Sequence, residues 1–283
     1  MTRPRAMRER QWVRPRSAGG PRPPGREGRR KPFSPRPRGK PRDGDGPAIL
    51  YGWHTVKEAL ENPNRRFLRL QATENAARRL ADDGVKLPLA PELVRPDAIA
   101  AQLPPDAVHQ GLLAAADPLP SLAIEDLGAN LVLALDQITD PHNVGAILRS
   151  AAAFGVGAIV ITARHSPEAT GVLAKSASGA LEHVPIIEIG NLARALDALR
   201  ARGFLLIGLD SDGSGDLAAA PLHAPLALVL GAEGKGLRHL TRSLCDQVVR
   251  LALPGAIKSL NVSNAAALAL YIATTRLAAP ARI

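Results

Sequence analysis

Between about residues 129 and 279 the chain alternates short apolar runs with stretches of helical periodicity, and that alternation leaves it few folds. The runs are Leu131–Leu135, Ala158–Ile161, Val184–Ile189, Phe204–Leu209, Leu226–Leu230 and Val248–Leu253. They have the length and aliphatic character of strands buried on both faces. Helical patterns lie at 144–154, 168–178, 191–201, 237–244 and 262–277. Strand followed by helix, repeated, predicts an α/β fold with a mostly parallel sheet covered by helices. Ligands of such sheets bind at the carboxyl ends of the strands. No internal repeat is visible.

A smaller α/β unit precedes this one. Its expected order is strand 49–51, helix 54–61, strand 67–71, helix 75–83, strand 85–89, helix 96–102 and strand 111–115. Asn62-Pro63-Asn64, Asp83-Gly84 and Pro104-Pro105-Asp106 supply the turns. Nothing in this unit looks catalytic. Pro118 and Pro120 mark a linker. The expected division is therefore a tail over 1–46, a first domain over 47–117, a linker over 118–128 and a second domain over 129–283.

Charge separates the tail from the rest. The net charge is +10 over 283 residues. Residues 1–46 carry 15 Lys+Arg against 4 Asp+Glu, a net of +11. Of the totals of 36 and 26, 21 and 22 remain for residues 47–283, a net of −1. With 9 Pro, 7 Gly and almost nothing apolar, the tail lacks the surface to offset chain entropy and is expected to be disordered. Its 13 Arg suit phosphate backbones, which a polycation binds by counterion release; a solubilising tail is the plainer alternative.

The single Cys245 excludes an internal disulfide and a Cys-rich zinc site. The seven histidines show no metal-ligand spacing, so no metal is expected. The Arg- and Pro-rich start has no apolar core of a signal peptide, and no membrane span is expected. A cytoplasmic setting fits.

Three segments of the larger unit invite chemistry. In Asp140-Pro141-His142-Asn143-Val144-Gly145-Ala146-Ile147-Leu148-Arg149, Asn143 is either a helix N-cap or a pocket residue. Arg149 stands among the apolar Ile147, Leu148, Ala151 and Ala152, where a cation wants an anionic partner. Gly231-Ala232-Glu233-Gly234-Lys235-Gly236 follows an apolar run. Its glycines allow close approach of a ligand to backbone, or make a plain turn. It is no Walker loop, because Gly236 stands where Ser or Thr is required and the spacing fails. Glu233 argues against a phosphate ligand. Ser259-Leu260-Asn261-Val262-Ser263-Asn264 opens the last helix with more small polar residues than capping requires. Gly155-Val156-Gly157 is no dinucleotide fingerprint, since Val160 takes the third glycine position and a strand follows instead of a helix.

In this order the three segments resemble motifs 1, 2 and 3 of the SpoU/TrmH branch of the SPOUT RNA 2′-O-ribose methyltransferases. The motifs extend over Leu135–Ala151, Leu228–Gly234 and Leu251–Asn264, and Lys175-Ser176-Ala177-Ser178-Gly179-Ala180 also fits. Tyr51–Leu60 and Val108-His109-Gln110-Gly111 resemble the L30e-like RNA-binding domain of those members that methylate a guanosine ribose of 23S rRNA. The resemblance implies a trefoil-knotted SPOUT domain after an L30e-like α/β domain, a homodimer, S-adenosyl-L-methionine as cofactor and RNA, 23S rRNA first, as partner. It implies that Gly231, Leu251 and Leu260 hold the cofactor. Asn143, Arg149, Glu233, Ser259 and Asn261 would form the catalytic and substrate-orienting set. Arg149 is more plausible positioning phosphate and hydroxyl than removing a proton, because guanidinium stays charged. The alternatives are a tRNA ribose methyltransferase, disfavoured by the first domain, and a non-catalytic RNA-binding protein that kept the fold.

Overall fold

The computed structural model describes residues 46–120, 122–163 and 171–278. Residues 1–45 of the basic tail, His165 and the first residues of the helix expected at 168–178 lie outside them. The smaller unit runs β1 (Ala48–Tyr51), α1 (Trp53–Glu61), β2 (Phe67–Ala72), α2 (Glu74–Asp82), β3 (Glu92–Leu93), α3 (Pro96–Ala100) and β4 (Leu112–Ala116). Its sheet has the order β1-β4-β2-β3, with β4 antiparallel to both neighbours and β3 parallel to β2.

The strand expected at 85–89 does not form. Pro88 has no N–H for a ladder. Val85 N bonds back to Leu80 O, and Val85 and Leu89 pack on the core as loop residues. The place beside β2 goes to Glu92–Leu93.

The larger unit continues with β5 (Leu131–Asp136), α4 (Pro141–Ala153), β6 (Ala158–Thr162), α5 (Gly171–Ala177), β7 (Ile186–Ile189), α6 (Leu192–Ala201), β8 (Leu205–Leu209), β9 (Gly215–Asp216), β10 (Leu226–Gly231), α7 (His239–Leu244), β11 (Gln247–Arg250) and α8 (Val262–Ala278). Its seven strands stand in the order β7-β6-β5-β10-β8-β11-β9, every pair parallel. The alternation of strand and helix is thus realised as a parallel sheet. The two-residue β9 was not anticipated, because Gly215–Asp216 has no apolar run to betray it.

Period-two alternation sorts the strand residues to opposite faces. Leu131, Leu133 and Leu135 of β5, with Leu226, Leu228 and Leu230 of β10, pack in the core with α4, α5 and α8. Val132, Ala134, Ala227 and Val229 pack on the other face with α6. Both faces are covered, as a parallel sheet requires. The helix α4 starts earlier than expected: Asp140 is the N-cap, its carboxylate accepting from His142 N at 2.9 Å, and Pro141 takes the first turn. Asn143 is therefore not the cap. At Gly145 an added Cβ would come within 2.3 Å of Ser176 Cβ, so only glycine lets α4 and α5 approach this closely.

The two units meet along α1, α5 and the turn at 180–182. Arg65 Nη2 lies 2.6 Å and Nε 3.2 Å from the two Glu182 oxygens, with both side chains less than 5% exposed (4% and 3%). Arg65 Nη1 also donates to Asp117 O, and Asn62 Nδ2 to Glu182 at 2.7 Å. Ala174 of α5 is buried in the core of the smaller unit. No described helix is long and apolar enough to cross a membrane.

Candidate active site

The β10 strand enters the middle of the sheet between β5 and β8, and its carboxyl end opens directly into the Gly231–Gly236 loop. Two acids on the flanking strand ends hold the residues on the far side of that loop. Asp136, at the end of β5 with its side chain fully buried, accepts from Arg238 N at 3.1 Å and from Arg238 Nε at 2.6 Å. Asp210, just past β8, accepts from Leu237 N at 3.2 Å and pairs with Arg242 at 3.2 Å. Charge-assisted bonds of this kind are about twice as strong as neutral ones. They draw the loop back over the sheet, where Ala232 and Gly236 form an isolated bridge. Gly231 has no space for a side chain, since a Cβ would come within 2.2 Å of Gly236 C.

Beside this loop lies a cleft of about 610 Å³, bounded by residues 209–212, 230–237, 251, 253, 258–262 and 265. That volume is in the range of small-molecule sites. Leu209, Leu230, Leu251, Leu253 and Leu260 give it apolar walls; Asp212, Glu233, Lys258, Ser259 and Asn261 give it polar ones. Leu251 reaches the cleft because β11 ends at Arg250, short of the Leu253 limit expected from sequence. Its neighbour β9 pairs only Val249 and Arg250, leaving nothing to extend the ladder.

Asn143 and Asn261 meet at Glu233. Glu233 Oε1 accepts from Asn261 Nδ2 at 2.6 Å, Val262 N at 3.1 Å and Asn143 Nδ2 at 3.2 Å. Asn261 Nδ2 also lies 3.0 Å from Asn143 Oδ1. Asn261 Oδ1 accepts from Ser263 N at 3.0 Å, so the same residue caps α8. One carboxylate at a helix N-terminus thus ties all three sequence segments together, and the helix dipole favours its charge.

Seven of the eight residues singled out in the sequence therefore gather here. Gly231, Glu233, Leu251, Ser259, Leu260 and Asn261 line the cleft, and Asn143 joins through hydrogen bonds. Arg149 does not. It is exposed, lines no part of the cleft and makes no hydrogen bond or ion pair among the described residues. Six residues along a helix are about 9 Å of rise and about 120° of rotation, so Asn143 and Arg149 leave α4 in different directions. Asp136, Asp210 and Arg238 were missed. Only Asp136 left a trace in the sequence, as an acid closing a five-residue apolar run. Among the described residues no group of His, Cys, Asp and Glu could hold a metal ion.

Solved structures share the architecture. The SpoU methyltransferase AviRb from Streptomyces viridochromogenes, in complex with AdoMet, superposes with a TM-score of 0.70 over 82% of this chain and 90% of that one. At 24% identity that likeness is one of fold. The structure of a TrmH-family protein from Porphyromonas gingivalis gives a TM-score of 0.65 at 27% identity, covering 81% and 90%. Fold and site together define a methyltransferase of the parallel α/β type. Residues 130–271 match the model of the SpoU rRNA Methylase family, and residues 49–122 that of RNA 2′-O ribose methyltransferase substrate binding. The chain belongs to the SpoU rRNA methylase family. Among curated relatives, the 23S rRNA (guanosine-2′-O-)-methyltransferase RlmB of Vibrio cholerae serotype O1 is 34% identical over 79% of this chain and 94% of its own length. The protein of that name from a Burkholderia species is 39% identical, covering 79% and 94%.

Proposed function

We propose that this protein transfers a methyl group from S-adenosylmethionine to the ribose 2′-OH of a guanosine in 23S rRNA. The observation that carries this reading is the junction of Glu233, Asn143 and Asn261 at the rim of a cofactor-sized cleft. The cleft suits the cofactor. Leucine walls match the faces of adenine, a glycine loop offers backbone to its polar edge, and a nearby carboxylate matches a cationic centre. When bound, the cofactor supplies an electrophilic methyl carbon on a sulfonium sulfur.

Gly231, Leu251 and Leu260 hold the cofactor, mainly by backbone. Glu233 positions Asn143 and Asn261 through Oε1, while its Oε2 makes no hydrogen bond among the described residues and is open to a substrate hydroxyl. The Ser259 hydroxyl is likewise open and lines the cleft. Arg149 stays charged and binds an RNA phosphate, bringing the ribose toward the cleft, so its work is positioning. The choice of 23S rRNA over tRNA follows the names of the relatives and the match of residues 49–122 to a substrate-binding model. The knotted path and the homodimer implied by the family belong to the same reading. Exposed Leu240, Leu268 and Tyr271 give a second copy apolar surface to cover.

The test is transfer of labelled methyl to in-vitro-transcribed 23S rRNA, with cofactor binding followed by calorimetry. Activity is expected for the wild type and a loss of at least about 10-fold for Arg149→Ala, the scale of one charge-assisted contact. No cofactor binding would make the protein a non-catalytic RNA binder instead. Near-normal turnover of Arg149→Ala would remove that residue from the mechanism.

A further inference from the structure

Three sequence motifs that the cleft does not use meet at the seam between the two units: Tyr51–Thr55, Val108–Gly111 and Lys175–Ala180. Gln110, held at φ 52°, turns its Oε1 to accept from Trp53 N at 2.9 Å. Lys175 Nζ stands 3.5 Å from the same oxygen. The ammonium also rests on Gly52, where an added Cβ would lie 2.4 Å from it. The next residue, Ser176, has Oγ 3.2 Å from His142 Nδ1, and His142 immediately precedes Asn143. Two polar contacts, Gln110–Lys175 and Ser176–His142, thus lie between the seam and the Asn143–Glu233 junction, joined by sequence adjacency at Lys175-Ser176 and His142-Asn143.

Two residues that are not glycine, Gln110 and Ser178, hold the left-handed φ of 52° and 50° here, next to Gly111 and Gly179, which adopt positive φ without strain. Such conformations persist where the surroundings over-determine them, and they cluster at ligand sites.

Cohesion of the seam does not rest on Lys175. Arg65–Glu182, Asn62–Glu182, His183–Glu58 and Thr55–Ala174 already join the units. Among the described residues, Lys175 is a cation of this seam with no carboxylate within salt-bridge distance, and burial lowers its pKa. An ammonium has three N–H donors, and only one weak acceptor faces this one. A half-buried cation so placed is costly until an anion joins it. Residues 47–283 carry a net charge of −1, so RNA affinity in the folded part has to be local.

We propose that Lys175, with Gln110 beside it, forms a phosphate-binding subsite for the RNA backbone where it passes from the smaller unit toward the cleft. The subsite rests on the reading of the protein as an RNA methyltransferase. Lys175 is a binding residue for the RNA and takes no part in the bond exchange.

The experiment compares the full-length wild type with Lys175→Met and Lys175→Arg, using in-vitro-transcribed 23S rRNA and labelled S-adenosylmethionine. Lys175→Met is expected to raise KM for the RNA about tenfold, the effect of losing one charge-assisted contact. It should also flatten the plot of log binding constant against log salt by about 0.7, the share of one phosphate on a single strand. Cofactor affinity by calorimetry should not move. Lys175→Arg, which keeps the charge, should keep the salt slope. An unchanged KM and slope in Lys175→Met overturns the proposal. So does a lower melting temperature with an unchanged slope, which would make Lys175 only a tie between units. If the wild type transfers no methyl to rRNA, the functional reading itself fails and the subsite falls with it.

Discussion

Asn261 Nδ2 lies 2.6 Å from Glu233 Oε1, across 28 residues of sequence, and that contact joins the glycine loop to the start of the last helix. The same oxygen takes Val262 N and Asn143 Nδ2. Replacing Glu233 with Ala leaves two amides and a backbone N–H without their shared acceptor. The expected loss in kcat/KM is about 100-fold, equivalent to about 2.7 kcal/mol of barrier. Glu233→Gln should lose less, since its carbonyl still accepts but without charge assistance. Steady-state methyl transfer checks both, and equal activity of Glu233→Ala and wild type would remove the junction from catalysis.

The glycine loop makes a graded prediction. In Gly231→Ala the new methyl meets backbone at 2.2 Å, and backbone cannot step aside. In Gly236→Ala it meets Asp210 Oδ2 at 2.6 Å, at a φ of 62°. Gly234 has a φ of 72° but nothing within 4 Å, so Gly234→Ala costs only the backbone term of about 1–2 kcal/mol. Calorimetry should show cofactor affinity falling most for Gly231→Ala, then Gly236→Ala, and least for Gly234→Ala. A reversed order would mean that the loop is not held as described.

Arg65 and Glu182 form a buried pair, and removal of one partner strands the other. Arg65→Ala should lower stability to urea by about 3–5 kcal/mol. Arg65→Lys should recover little, because a compact ammonium cannot span the two Glu182 oxygens and Asp117 O that the planar guanidinium reaches with three separate nitrogens. A loss below about 1 kcal/mol, typical of exposed pairs, would contradict the burial of this contact.

Burial, reinforced by Asp246, pushes the Cys245 thiol up to about 12. A raised thiol pKa keeps the sulfur protonated and unreactive below that value. At pH 8 only about 1 molecule in 10,000 carries the thiolate. Alkylation of native protein by iodoacetamide should be very slow at pH 8 and quicken about tenfold per pH unit. Unfolding in urea should bring back ordinary thiol reactivity. Rapid labelling of the native protein at pH 8 is the contrary result.

Much of the larger unit was legible because strand and helix declare themselves locally. Leu131–Leu135 and Leu226–Leu230 are apolar on both faces, and only a sheet covered on both sides accommodates them. The motif loops were legible for a similar reason: glycines, a lone acid and surplus helix-start polars are exceptions to local rules. Where strand pairing decides the outcome, local pattern is not enough. Residues 85–89 had the composition of a strand but Pro88 in their ladder, and residues 251–253 had it with no neighbour beyond Arg250.

Local pattern was enough for the order of the larger unit's elements apart from β9, for the parallel sheet, and for the three segments that meet at Glu233, because periodicity and turn chemistry act over a few residues. Tertiary structure alone decided which of the singled-out residues touch. It brought Asn143 and Asn261 to one oxygen of Glu233, left Arg149 on open surface, and recruited Asp136 and Asp210 to hold the loop. It also set Lys175 of one unit against Gln110 of the other, 65 residues away. These contacts depend on strand order and on helix rotation, which bring residues far apart in the chain into hydrogen-bonding reach and which no local pattern encodes.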